Sequence, residues 1–308
     1  MKNISGKKAI IVTGGQSMKK SGTLDRAKAF LTEAGLETIV FDGVEEDPSS
    51  ATSLKGAEIM RAFQPDWIVG LGGCSAIDAA KMMWVFYEHP DADFEAMTKP
   101  FSVPTLRQKA KFVAIPSTSG TGTETTGLAV ITDKEKGVKY PIVSYELTPD
   151  IAIVDGEICA TMPAYMHDAS FMGGLAFNKA WLGIVHSLSH QVGALYGIPH
   201  GAANAIFLPN VIRYNQTETT RYPNLAKIVG KETAEELAQE IEKLRASVNN
   251  IGSLKAFGIS REDWDKNLDY ITKNALEDPC TGFNPRKPSL QDLKDLYNAC
   301  YEGVIYQN

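Results

Sequence analysis

The stretch DWIVGLGGCSAIDAAKMMWVFYEH, residues 66–89, decides the fold class. Its first part, DWIVGLGG (66–73), is a short apolar run ending in glycines and predicts a buried strand. Its second part, SAIDAAKMMWVFYEH (75–89), carries apolar residues at helical spacing. A strand passing through a glycine turn directly into a helix is the opening of a βαβ unit. Working outward, KKAIIVTGG (7–15), ETIVFDG (37–43), KFVAIPSTSG (111–120) and ELTPDIAIVDGE (146–157) read as further strands. GTLDRAKAFLTEAGLE (22–37) reads as a helix capped by Gly35, and SSATSLKGAEIMRAFQPD (49–66) as a helix closed by Pro65. Strands alternating with helices predict a parallel sheet covered on both faces. Beyond TMPAYM (161–166) the character changes: 167–200, 230–260 and 288–304 read as helical, with no convincing strand. The expected organisation is an α/β N-terminal domain over 1–162 and an all-α C-terminal domain over 163–308.

Composition narrows the partners. The chain has 308 residues, 44% of them hydrophobic, enough to bury one large core or two ordinary ones. A net charge of -6 without a basic run argues against nucleic acid. The run AIIV in MKNISGKKAIIVTGG is too short for a signal-peptide core, and no window approaches the ~18 apolar residues of a membrane span. Cys74, Cys159, Cys280 and Cys300 are scattered with no CxxC, which fits a reducing cytoplasm.

Three glycine-rich turns follow strands. In GLGGCSAIDAAK (70–81), Gly72 and Gly73 let a pyrophosphate approach the backbone at a helix N-terminus, and Ser75 with Asp78 fits a capping box. The spacing is not GxGxxG, and a tight turn without a ligand accounts for the glycines as well. PSTSGTGTETTG (116–127) presents Ser117, Thr118 and Thr121 among other hydroxyls, which suit a phosphate or ribose; a solvated loop is the plain alternative. VTGGQSMKKSG (12–22) has Gly14 and Gly15, then Ser17, Lys19 and Lys20. A carboxylate there would hold a ribose 2′-hydroxyl; lysines and a hydroxyl instead suit a 2′-phosphate, hence NADP over NAD.

Of the five histidines, three fall within GIVHSLSHQVGALYGIPHG (183–201). His186 and His190 are four apart and share a helix face, and His200 follows a Gly–Ile–Pro break that can fold it back. Neutral imidazoles so arranged suit a divalent transition metal. Core histidines bonded to neighbours are the plainer reading of the same spacing.

The stretches VTGGQSMKKSG, FDGVEEDPS, GLGGCSAIDAAK, IPSTSGTGTETT, ITDKEKGVKYPI, TPDIAIVDGE, GIVHSLSHQVGALYGIPHGAANAIFLP and FNPRKPS run in the order of the iron-containing (group III) alcohol dehydrogenase family, which the sequence resembles over nearly its whole length. That resemblance implies a dinucleotide-binding, dehydroquinate-synthase-like sheet domain and a helical domain. It implies oxidation of small primary alcohols or reduction of aldehydes with NADP (or NAD) and one divalent metal, Fe2+ or Zn2+, in the interdomain cleft, in a homodimer. By matching motif, Gly72, Gly73, Cys74 and Ser75 would hold the pyrophosphate, Asp78 completing that turn. Ser117, Thr118 and Thr121 would line the cofactor, and Lys139 would reach its ribose. His186 and His200 match metal-ligand positions, and His190 matches the nearby histidine assigned to proton relay or substrate contact. Gly14 stands where NAD-preferring relatives have aspartate. The resemblance departs at one place. Family members carry, after the TMP motif, a GxDxxxHAxE helix that supplies an aspartate and a further histidine to the metal. Here HDASFMGGLAFNKA, placed several dozen residues later in the family, follows directly, and the chain also starts late relative to the family's first strand. His167 and Asp168 at that seam match the start of the later helix. The competing expectation is therefore an inactive NADP-binding protein on the same scaffold with an incomplete metal site.

Overall fold

The computed structural model describes residues 6–159, 164–248 and 251–307, the side chains of 164–168 excepted. The chain runs β1 (Lys8–Gly14), α1 (Ser17–Lys20), α2 (Thr23–Glu33), β2 (Glu37–Val44), α3 (Ser50–Phe63), β3 (Trp67–Gly72), α4 (Cys74–Glu88), α5 (Phe94–Met97), β4 (Lys111–Pro116), β5 (Leu128–Asp133), β6 (Val138–Val143), β7 (Ile151–Ala152) and α6 (Ala164–Ala180). It continues through α7 (Ile184–Tyr196), α8 (His200–Asn215), α9 (Arg221–Ile228), α10 (Ala234–Ser247), α11 (Arg261–Glu277) and α12 (Leu290–Glu302). Contacts divide it into two compact units, Met1–Lys136 with Tyr140–Ala180 and Gly137–Lys139 with Trp181–Asn308. The seam read at 162/163 and the side chains of His167 and Asp168 lie outside the described residues, and α6 groups with the sheet unit.

In the first unit the strands pair in parallel in the order β2-β1-β3-β4-β7. Alternate residues of the central strands feed opposite faces. Ile10, Val12 and Ile68 join one apolar cluster, and Ala9, Ile11, Val69 and Leu71 join the other. Burial on both sides is why these strands read as unbroken apolar runs rather than alternating ones. The chain leaves β1 for β2 on one side, then crosses to β3 on the other. Such a reversal opens a crevice at the carboxyl ends of the two central strands. Gly14–Gly15 and Gly72–Gly73 stand at those ends.

Three sequence readings needed correction here. The strand read over 146–157 is confined to Ile151–Ala152, because a 3-10 turn occupies Tyr145–Leu147. β5 and β6 form a separate two-stranded sheet over residues to which no element was assigned. The helical reading of 167–200 is divided: α6 ends at Ala180 and α7 begins at Ile184. Trp181 makes that break with φ 61° and stacks on Phe283 at 5.4 Å.

From Trp181 onward the described residues contain helices and 3-10 turns and no strand. α7 buries Ile184, Leu188 and Val192, one face at four-residue spacing, in a core with Phe207, Trp264, Tyr297 and Tyr301. That leaves His186 and His190 on another face of the same helix. No helix of the described residues is long and apolar enough to cross a membrane.

Candidate cofactor and metal sites

At the end of β3 the backbone reaches φ 142° at Gly72, a conformation that favours glycine, and a Cβ there would stand 3.1 Å from that of Ala76. α4 then starts from Gly73 without a side-chain cap. Ala76 and Ile77 N–H donate to the Gly73 carbonyl at 3.1 and 3.3 Å, so the amides of Cys74 and Ser75 and the positive dipole end face an outside acceptor. Ser117 N–H donates to the Gly72 carbonyl at 2.8 Å, which brings the end of β4 alongside. Beside Gly72 the buried Thr13 hydroxyl has no hydrogen-bond partner among the described residues. An unsatisfied buried hydroxyl next to free helix amides fits a polar ligand such as a phosphate.

The expected capping box does not form. The helix begins at Cys74, so Ser75 lies inside the first turn, and Asp78 turns inward. Asp78 accepts from Thr123 Oγ1 at 2.6 Å and from Val130 N–H at 2.9 Å, and Cys74 Sγ donates to it at 3.5 Å. Lys81, one turn on, donates to the carbonyls of Thr123, Thr126 and Leu128, each at 2.8 Å, and to Thr123 Oγ1 at 3.1 Å. Burial pushes the Lys81 ammonium down to about 8 and the Asp78 carboxyl up, while each charge favours the other. Asp78 is therefore a brace for the hydroxyl-rich loop. The loop itself divides: Thr118 and Thr121 are exposed and Ser117 is half-buried, whereas Thr123, Thr125 and Thr126 are buried.

Gly14 has a packing reason besides the one read in the sequence. A Cβ there would lie 2.2 Å from the Val44 carbonyl oxygen, so the residue lets β1 and β2 approach. Gly15 has φ 60° with open space around it, and Ser17, Lys19 and Lys20 are exposed on α1. Lys139 is buried, with its Nζ 3.2 Å from where a Cβ on Gly193 would stand.

In the second unit the three histidines come together. Ring centroids are 5.2 Å apart for His186–His200, 5.6 Å for His190–His200 and 6.1 Å for His186–His190. Burial first, then the neighbouring imidazoles, pushes His186 down to about 3. Burial, His190 and Lys139 do the same to His200. Both are thus neutral at pH 7, the form that offers a lone pair to a metal. Imidazoles sharing one ion at ~2.1 Å have centroids about 5 Å apart, which the His186–His200 pair matches, although the donor atoms of all three rings do not lie within 4.8 Å of one another. His200 Nε2 lies 3.0 Å from Asn204 Nδ2, and the buried Asn204 Oδ1 has no partner among the described residues. Turning the amide over lets Oδ1 accept Nε2–H and leaves His200 Nδ1 for a metal.

His190 Nδ1 is 2.8 Å from Asp278 Oδ2, with both side chains almost wholly buried. Asp278 was absent from the sequence reading; the only local signal is Asp-Pro, a capping aspartate before a proline that starts a 3-10 turn. His190, Asp278 and Cys280 have ligand atoms within 4.8 Å of one another. Burial, together with the Asp278 charge, holds the Cys280 thiol well above its usual range.

A family model described as iron-containing alcohol dehydrogenase matches residues 1–156, and one for the C-terminal part of the Fe-containing alcohol dehydrogenase family matches 154–301. The chain is similar to the NADPH-dependent butanol dehydrogenase of Clostridium saccharobutylicum, 40% identical over 365 residues covering 99% of this chain and 94% of that protein. With 308 residues here against 365 aligned, at least 57 positions of that relative have no counterpart in this chain. It is 34% identical to the bifunctional aldehyde-alcohol dehydrogenase of Escherichia coli (strain K12), covering 97% of this chain and 44% of that protein. Among solved structures, the iron-containing alcohol dehydrogenase of Thermococcus thioreducens superposes with a TM-score of 0.87 at 29% identity, covering 97% of this chain and 93% of that one.

Proposed function

Because the chain belongs to the iron-containing alcohol dehydrogenase family, we propose that it interconverts small primary alcohols and their aldehydes by hydride transfer with NADP(H), NAD(H) being the lesser partner. The observation that carries the reading is the cluster of His186, His190 and His200, two of them neutral at pH 7 and spaced for one ion. His186 and His200 are the metal ligands in this reading. A bound Fe2+ or Zn2+ supplies Lewis acidity to the alcohol oxygen and lowers its pKa. His190 would receive the hydroxyl proton, and bound NADP+ would supply the hydride acceptor for the carbon-bound hydrogen.

The amides around Gly72, Gly73, Cys74 and Ser75 seat the pyrophosphate, and Ser117, Thr118 and Thr121 line the cofactor. Gly15, Ser17, Lys19 and Lys20 provide the room, hydroxyl and charge for a 2′-phosphate. Gly14 and Asp78 act through the backbone they shape, and Lys139 is the residue that the resemblance assigns to the ribose. The match to an NADPH-dependent relative supports the cofactor preference. No comparison supports the inactive scaffold. The reading extends to a cytoplasmic enzyme, supported by four cysteines that are all free, and to the homodimer that the resemblance implies.

The test is butanol-dependent reduction of NADP+ by the purified protein, with metal content measured on the same sample. The expected result is turnover that a chelator removes and Fe2+ or Zn2+ restores. Protein that binds NADPH yet holds no metal and reduces no aldehyde overturns the reading.

A further inference from the structure

The segment Asp278–Asn284 is pinned along α7 by side chains that bond to it at intervals. Asn284 Oδ1 accepts from Ile184 N–H at 3.3 Å, at the start of the helix. Thr281 Oγ1 donates to Ser187 Oγ at 2.7 Å, in the middle. Asp278 Oδ2 meets His190 Nδ1 at 2.8 Å, toward the end. The carboxylate has little freedom, because its other oxygen accepts Cys280 N–H at 2.9 Å as the cap of the 3-10 turn Pro279–Phe283. Asp278 is 6% exposed and His190 2%. A carboxylate accepts only, so the imidazole must carry its proton on Nδ1 to satisfy this contact. That choice leaves Nε2 with its lone pair.

We propose that Asp278 is a positioning residue that locks His190 in the Nδ1–H tautomer, so that Nε2 is the nitrogen that accepts a proton in the reaction. The inference rests on the proton-relay reading of His190 and adds the group that makes it competent. In the forward reaction the alcohol O–H bond would break toward Nε2, with bound NADP+ supplying the acceptor for the hydride that carries the C–H electron pair. The positive charge then arising on His190 sits against the Asp278 carboxylate. The other tautomer would present Nε2–H, a donor that cannot take the proton.

Asp278→Asn tests this. Its Oδ1 can cap Cys280 N–H as before, which turns the NH2 toward Nδ1 and drives the histidine proton to Nε2. With only five histidines in the chain, selective 15N-histidine labelling of the Zn2+-loaded protein lets the tautomer be read by NMR. The expected result is Nδ1–H for His190 in the wild type and Nε2–H in D278N. Turnover number should fall by about 10²-fold or more while KM for alcohol and for NADP+ stays within a factor of ~2. Thr281→Val is the control: it loosens the segment without touching the carboxylate, and should lower thermal stability with tautomer and turnover number retained. An Nε2–H tautomer in the wild type overturns the proposal. So does a D278N protein with unchanged turnover, or a T281V protein with the same turnover loss as D278N. Wild-type protein that forms no NADPH from butanol fails the dehydrogenase reading instead, and the NMR tautomer still decides whether Asp278 locks the ring.

Discussion

Lys81 in the first unit and His200 in the second both hold a basic nitrogen away from water, yet their surroundings use it differently. Lys81 spends its ammonium on three carbonyls and a hydroxyl, and Asp78 beside it spends its carboxylate on a hydroxyl and an amide. Among the described residues both groups are committed to partners within the protein. Around His200 the balance is open: its neighbours are two more imidazoles, and with the Asn204 amide turned to accept Nε2–H its Nδ1 lone pair is uncommitted. Buried titratable groups thus separate into brace and site by whether their lone pairs and protons are already committed.

The largest effects come from breaking each in turn. Lys81→Met removes the cation from a buried carboxylate and strands the oxygens it served, which should cost about 3–5 kcal/mol in denaturant unfolding. His200→Ala removes a neutral, half-buried ring, so unfolding should change by only about 1 kcal/mol. Turnover should nevertheless fall by at least ~10³-fold, with NADP+ affinity within a factor of ~3. Equal stability losses in the two variants would erase the distinction between brace and site.

The same distinction marks what was legible in the sequence. The β1, β3 and β4 runs were readable because burial on both faces leaves unbroken apolar stretches. The three histidines were readable because two are one helical turn apart. Asp278 was not, because its partner lies 88 residues away and only the packed segment reveals the pair. β5 and β6 were missed because Lys139 and Pro141 interrupt the apolar run of β6 and the two form a separate sheet. Ser75 and Asp78 have capping-box spacing, but spacing alone does not show that Asp78 points into a polar network.

Gly14 sharpens the comparison on the cofactor side. Its place at the end of β1 invites a reading in terms of the 2′-phosphate, but a side chain there would first meet the Val44 backbone. Gly14→Ala should therefore destabilise by about 1–3 kcal/mol, visible as a lower Tm. The ratio of NADP+ to NAD+ activity should stay as it is in the folded fraction. A changed ratio with unchanged Tm would return Gly14 to cofactor discrimination.

Glu45 offers the smallest effect and a second carboxylate to set against Asp78. It accepts from Ser49 Oγ at 2.8 Å and from Thr52 Oγ1 at 2.7 Å, with Lys134 at 3.1 Å, at the start of α3. Like Asp78 it binds a threonine hydroxyl and a backbone N–H, that of Ser49 at 3.2 Å. Asp78 lies in the interior, where burial outweighs these bonds and lifts its carboxyl. Glu45 is partly solvated: burial still opposes its charge, but the hydroxyls and Lys134 win and bring it down to about 2. A carboxyl lowered on folding stabilises the native state above its unfolded value of 4.5, and that stabilisation is lost as pH falls through about 2. Glu45→Gln should therefore cost about 1 kcal/mol at pH 7, discounted for solvent exposure. The gap to wild type should narrow steadily between pH 4.5 and about 2 in urea titrations. A gap that held constant through that window would mean that the glutamate acts there through shape rather than charge.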